Sequence, residues 1–355
     1  MISREILRLV LTIEVAAVLT CLAAVAIHAV WLWWRQRADA PRLTKGRATL
    51  AATVAAGRDG DSADDGVGQL RRLPRRVQRR VVEQLAVSVV GDEGRRVTGV
   101  AESLGLVAAA ERRCASRWWW RRLLGAYQLN VYSHGQDWLP RLLDDPHPAV
   151  RAQALEWAGD AAREDLAPHL AAALRDPSPL CRHTAADSIL RAGALLVDAL
   201  AAELGRRPED EQADLLSVLA QRPDPRYREA AMAATADVER PGRRAAGAAL
   251  LGGIGGADAG SALTCLLADG DASVRVAAAD ALRRLGHVAA APDVAPLLRD
   301  PVFAVRRAAG AALAALGPGG TLLLRHYLGD DNQFAADMAR YSLDVAALRG
   351  TGGVG

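Results

Sequence analysis

The side chains best suited to metal or nucleophilic chemistry in this chain are seven histidines and four cysteines. The histidines are His28, His134, His147, His169, His183, His287 and His326. A helical metal site needs two ligands on one face, such as two His four residues apart, or a Glu beside them. None of the seven has a second His or a Glu at that spacing. His147 and His183 lie near turns and read as surface residues. Cys21, Cys114, Cys181 and Cys265 are far apart and form no C-x-x-C pair. Leu251-Gly252-Gly253-Ile254-Gly255-Gly256 has the glycines of a phosphate loop but lacks the following Lys-Ser/Thr and a preceding strand. It reads as a helix end, like Leu316-Gly317-Pro318-Gly319-Gly320. The expectation is therefore no catalytic residue, no metal ligand and no cofactor, in a chain that is not an enzyme.

Two clusters suit surfaces instead. Trp118, Trp119 and Trp120 are consecutive, with Arg112, Arg113, Arg117, Arg121 and Arg122 around them. Indoles with arginines suit a membrane interface or a protein-binding hot spot; one or two of them could equally seal the end of a domain. Three consecutive helical residues point in three directions, so at least one is expected to be exposed. Arg71, Arg72, Arg75, Arg76, Arg79 and Arg80 form two rows of i, i+4, i+8 spacing, with Pro74 marking a helix start. Arg75, Arg76, Arg79 and Arg80 are candidates to contact anionic lipid, at about 1 kcal/mol per basic residue near the bilayer. Nucleic acid is not expected, because no aromatic platform flanks these arginines.

The elements that must carry these residues begin with an apolar run. Val15 to Trp34 holds no formal charge at pH 7. As a helix it spans the roughly 30 Å hydrocarbon layer, with Trp31, Trp33 and Trp34 at its interfacial end. A cleaved signal peptide is the competing reading, with Ala38-Asp39-Ala40 as its site. The run exceeds a usual signal core, and Pro41 would follow the cut, so an uncleaved anchor is expected. Arg4 and Arg8 precede it; Arg35, Arg37, Arg42, Lys45 and Arg47 follow it. The positive-inside rule then places the N-terminus outside and the bulk of the chain in the cytoplasm, at the inner membrane. Gly57 to Gly66 is nearly devoid of apolar residues and reads as flexible.

A repeat organises the rest. Asp145-Pro146-His147-Pro148-Ala149-Val150-Arg151 recurs as Asp269 to Arg275 and as Asp300 to Arg306. Anchored on the Arg, matching positions are 151, 182, 212, 243, 275, 306 and 336, in steps of 30 to 32 residues. Six before the anchor stand Asp145, Asp176, Asp237, Asp269, Asp300 and Asp330, with Arg206 departing. Three after it stands Ala, and seven after it Leu or Ile, in nearly every copy. Those offsets share one helical face. Each Asp precedes that helix and suits capping of its free N–H groups, while Pro146, Pro177 and Pro301 end the helix before. Each repeat is thus two helices joined by a tight turn, and neighbours must stack to bury their apolar faces.

The pattern Asp-x-x-x-x-Val-Arg-x-x-Ala-x-x-x-Leu, clearest at 269–282 and 300–313, resembles the HEAT-repeat family, specifically its short bacterial, phycobilisome-lyase-like form. The resemblance covers about residues 120–345. It implies an all-α solenoid of helix pairs following one transmembrane helix. It also implies a ladder of Asp and Arg between adjacent repeats, carried to the five intact pairs: Asp145/Arg151, Asp176/Arg182, Asp237/Arg243, Asp269/Arg275 and Asp300/Arg306. HEAT-fold iron hydroxylases use His-Glu pairs, and this sequence has no such dipeptide. The expected domains are an anchor at 1–37, a flexible linker at 38–68, a basic helical neck and cap at 69–128, the solenoid at 129–345 and a disordered tail at 346–355.

The 355 residues are 51% hydrophobic, 4% aromatic and carry a formal charge of +3. The small total conceals a division: +9 over residues 35–130 and −6 over residues 131–355. A basic neck beside an anchor suits anionic lipid, and an acidic solenoid disfavours DNA. The expected function is a membrane-tethered cytoplasmic scaffold that binds a membrane-associated protein partner, without a small-molecule substrate. The alternative is an enzyme or nucleic-acid module on the same fold, as in HEAT-like lyases and DNA glycosylases.

Overall fold

The computed structural model describes residues 4–56, 60–89 and 91–351. Their regular structure is entirely helical, and no strand occurs among them. They fall into two compact units, divided after Gln136.

The first unit contains helices α1 (Arg4–Ala56), α2 (Gly60–Arg71), α3 (Arg75–Ala86), α4 (Gly91–Ser103), α5 (Leu106–Cys114) and α6 (Trp119–Val131). α1 includes a segment long and apolar enough to cross a membrane, with none of its most apolar stretch buried. Beyond Trp34 the same helix changes role. It continues through Pro41, and Leu50 and Val54 on its face are buried. Leu70 of α2, Val77, Val81 and Val82 of α3 and Val97 of α4 complete that core. Three polar ties hold the helix there. Arg76 forks onto Asp39 at 2.7 and 3.0 Å, Arg47 donates to Gln84 at 2.8 Å, and Arg96 donates to the Val54 carbonyl at 2.9 Å.

This corrects the flexible linker at 38–68. Apolar residues at i and i+4 gave this stretch a face to bury, and the surrounding Gly, Asp and Arg concealed it. Residues 57–59 of that linker lie outside the described residues. The expected boundary at 128/129 falls inside α6. The expected tail at 346–355 is helical through Thr351, and residues 352–355 lie outside the described residues.

The second unit is a two-layer stack. One layer comprises α7 (Leu139–Leu143), α9 (Ala167–Ala173), α11 (Val197–Arg206), α13 (Arg228–Thr235), α15 (Ala259–Cys265), α17 (Ala291–Val294) and α19 (Gly317–Tyr327). Alternating with these are α8 (Pro148–Ala161), α10 (Pro179–Ala192), α12 (Gln212–Leu219), α14 (Pro241–Ile254), α16 (Ala272–Leu285), α18 (Phe303–Ala315) and α20 (Gln333–Thr351). Each helix of the second layer packs on the next of its kind. The Ala and Leu columns lie buried between them, as at Ala154, Ala185, Ala278 and Ala309 and at Leu282 and Leu313. Small residues set the distance. A Cβ on Gly252 would come within 2.6 Å of the Ala281 Cα, so α14 and α16 meet backbone to backbone.

Candidate functional site

In the first unit the basic rows of α3 run beside α1. A groove of about 370 Å³ lies between the two helices, lined by Leu32, Arg35, Asp39, Arg76, Arg79 and Glu83 among others. It begins where the apolar run of α1 ends. The arginines there are partly committed. Arg76 holds Asp39, and Arg79 lies 3.6 Å from Glu83. Arg75 donates to the Leu104 carbonyl and Arg71, at the end of α2, to the Ser103 carbonyl, so these two fix the junction of α2 and α3 against the end of α4. Among the described residues Arg72 and Arg80 take no ion pair and are exposed.

Trp118, Trp119 and Trp120 are 47%, 41% and 49% exposed. None of them seals a core. Arg117 lies 4.7 Å from the Trp118 ring centre and Arg121 5.0 Å from that of Trp120, so the cluster presents cation–π pairs at the surface. Cys114, one turn before, is buried, and burial first, with Glu111 adding, pushes its thiol up to about 12. It is no nucleophile at neutral pH.

In the second unit the repeat motif builds one local geometry four times. Arg151, Arg182, Arg275 and Arg306 each donate from Nη1 to the main-chain carbonyl of their paired Asp at 2.8 Å, and to the next carbonyl at 3.0–3.3 Å. Each Asp Oδ1 accepts the N–H two residues on, from His147, Ser178, Asp271 and Val302, at 2.8–2.9 Å. The acid thus closes a turn ahead of the helix. Capping passes to the residue it orders: the His147 ring accepts from the Ala149 N–H, and Asp271 from the Ser273 N–H. That differs from the direct capping expected of the Asp.

The carboxylates are joined across repeats. Arg151 Nε and Nη2 fork onto Asp176, both at 2.8 Å. Arg275 forks onto Asp300 at 2.8 and 3.1 Å. Each fork spans 25 residues. The Arg151 bond holds Asp176 below the usual carboxylate range against the opposing effect of burial.

Arg243 does not take this place. Its neighbour Arg244 forks onto Asp269 at 2.7 and 2.9 Å and donates from Nη1 to the Asp237 and Val238 carbonyls. The reason is one extra residue in the turn. α14 starts four residues after Asp237, whereas α8, α10, α16 and α18 start three after their Asp. Arg243 is buried instead, donating to the Asp237 carboxylate at 2.8 Å and to Gln212 Oε1 at 3.0 Å. Gln212, from the repeat that lacks both Asp and Arg, donates to the Leu204 and Arg207 carbonyls. Asp330 is held by Arg299, with a shortest approach of 2.6 Å. Arg244 and Arg299 were not singled out by the motif, and Gln212 entered it only as a departure from the Arg column. The 25-residue offset would have found Arg244, since it stands 25 before Asp269 as Arg151 does before Asp176.

A model of HEAT repeats matches the chain over residues 135–234, 234–316 and 260–344. No curated protein matches it. Human deoxyhypusine hydroxylase, solved with glycerol, is 21% identical over 80% of this chain and 96% of that one, with a TM-score of 0.30. An engineered protein is 16% identical over 85% and 98%, with a TM-score of 0.36. The complex of CpcE and CpcF of phycocyanin lyase from Nostoc sp. is 20% identical over 68% and 94%, with a TM-score of 0.26. Two of these are enzymes by name, and the expectation that the chain is not an enzyme is withdrawn. Likeness at this level assigns it no reaction.

Proposed function

Since the chain belongs to the HEAT-repeat family, we propose that it is an adaptor tethered to the inner membrane, its solenoid offering a surface to a membrane-associated protein. The observation that carries this reading is α1. Its apolar stretch is unburied, and the same helix continues into the core of the first unit. In this reading residues 15–34 span the bilayer, with the N-terminus outside and the solenoid in the cytoplasm. Cleavage at Ala40 would separate Asp39 from Arg76, a pair with the acid buried; that supports an uncleaved anchor over a signal peptide. The groove between α1 and α3 supports contact of Arg35, Arg79 and Arg80 with anionic headgroups. The three exposed indoles at Trp118–Trp120 support a second contact, with lipid or partner.

Crosslinking in native membranes, followed by identification of what is captured, tests the adaptor. One reproducible membrane-associated protein is expected, and recovery of none overturns it. A phosphatase fused to the C-terminus tests orientation: it should be inactive, and periplasmic activity would reverse the topology.

A further inference from the structure

The rungs between repeats share one donor geometry, and the one at Arg306 is open. In Arg151, Arg244 and Arg275, Nη1 is held by two main-chain carbonyls while Nε and Nη2 fork onto the carboxylate of the next repeat. Arg306 keeps the same carbonyl pair, at 2.8 and 3.0 Å. The acid of its next repeat, Asp330, is occupied by Arg299. The Arg306 Nε is shut from water and has no hydrogen-bond partner. A buried donor left unpaired is disfavoured, and three other repeats show which group completes it.

What surrounds Arg306 also differs from those repeats. Its guanidinium lies 5.7 Å from the ring centre of Phe303 and 4.9 Å from that of Phe334. These are the only two phenylalanines in the chain, and they are 60% and 66% exposed. With Asp337, Met338 and Tyr341 they line a groove of about 390 Å³ on α18 and α20. The one acid in it, Asp337, lies 3.4 Å from Arg340. Arg182 also lacks a carboxylate from the next repeat among the described residues, but no aromatic ring stacks on it.

We propose that Arg306, Phe303 and Phe334 form a binding site for a carboxylate carried beside an apolar group, the chemistry of an acidic residue flanked by an aromatic or aliphatic one in a partner protein. The carboxylate takes the place that Asp176, Asp269 and Asp300 hold in the closed rungs. The rings supply the apolar walls and keep the guanidinium charge poorly hydrated, which strengthens a charge-assisted pair. The site deepens the adaptor reading and rests on it for the identity of the ligand as protein.

The test is fluorine NMR of the full chain in detergent, titrated with 4-fluorophenylacetate and, separately, with neutral 4-fluorophenylacetamide. Broadening and shift of the acid at millimolar concentration are expected, with at least tenfold weaker response to the amide. R306Q and F334A should each lower the response to the acid at least tenfold, and R182Q should leave it unchanged. Thermal unfolding of each variant separates loss of the site from loss of fold, and F334A retains the arginine should R306Q not fold. Equal response to acid and amide, or an undiminished response in folded R306Q or F334A, overturns the proposal. Partner capture from membranes distinguishes the two readings: capture that survives R306Q leaves the adaptor standing and removes this site from it.

Discussion

Replacing Asp269 by asparagine isolates the worth of one rung. The change keeps the shape and removes the charge that the Arg244 fork faces, with both side chains largely buried. A loss of about 2–3 kcal/mol is expected from urea unfolding, the range for a charged hydrogen bond or a broken part-buried pair. Acid should act the same way. Arg151 holds Asp176, and Arg244 holds Asp269, below their ordinary value of 3.8. The unfolded chain therefore binds more protons in acid than the folded one. The stabilisation is complete above the unfolded value and drains as pH falls through the lower folded value. Wild-type stability should decline below about pH 4, and D176N/D269N should decline less steeply; equal slopes would count against the rungs. At this scale the sequence was partly legible. The Asp and Arg columns are periodic and could be read directly. The choice of Arg244 over Arg243 depends on the length of one turn, which the columns alone do not report.

Between elements, backbone contact controls the stack. The Ala281 backbone lies where a Cβ on Gly252 would sit, so G252A must push α14 from α16. A cost of about 1–3 kcal/mol is expected, as for overpacking. Gly205 in α11 faces open space, and there G205A should stabilise by about 0.5–1 kcal/mol through helix propensity and unfolded-state entropy. Thermal unfolding of the pair checks both, and matching shifts would refute close approach as the cause. Paired helices were legible because apolar offsets of three and seven recur at a fixed period. The helical character of 38–56 was not. Only Leu50 and Val54 mark its buried face among charges and small residues, and α2 and α3, against which this helix packs, lie further along the chain. Trp118 to Trp120 show the converse: their types left a seal, a membrane interface and a partner surface open, and their exposure follows from a helix beginning at Trp119, with all three at its open end.

For the molecule as a whole, charge and hydropathy are divided along the chain, and membrane behaviour should follow that division. Full-length protein is expected to stay with the membrane pellet in alkaline carbonate and to need detergent for release, whereas peripheral attachment through arginines alone would release it. That measurement separates insertion from surface attraction, which salt would weaken. The continuity of α1 has a mechanical consequence. A hydrophobic span longer than the bilayer is thick can adjust by tilting, and a flexible tether would absorb that tilt. Here the helix that carries the apolar run is itself a core element of the first unit, pinned by the Asp39–Arg76 fork and by Leu50 and Val54. In a bilayer the unit must therefore turn with the helix. For an inserted α1, lipid thickness would become an angle, and the helix a lever arm rather than a leash.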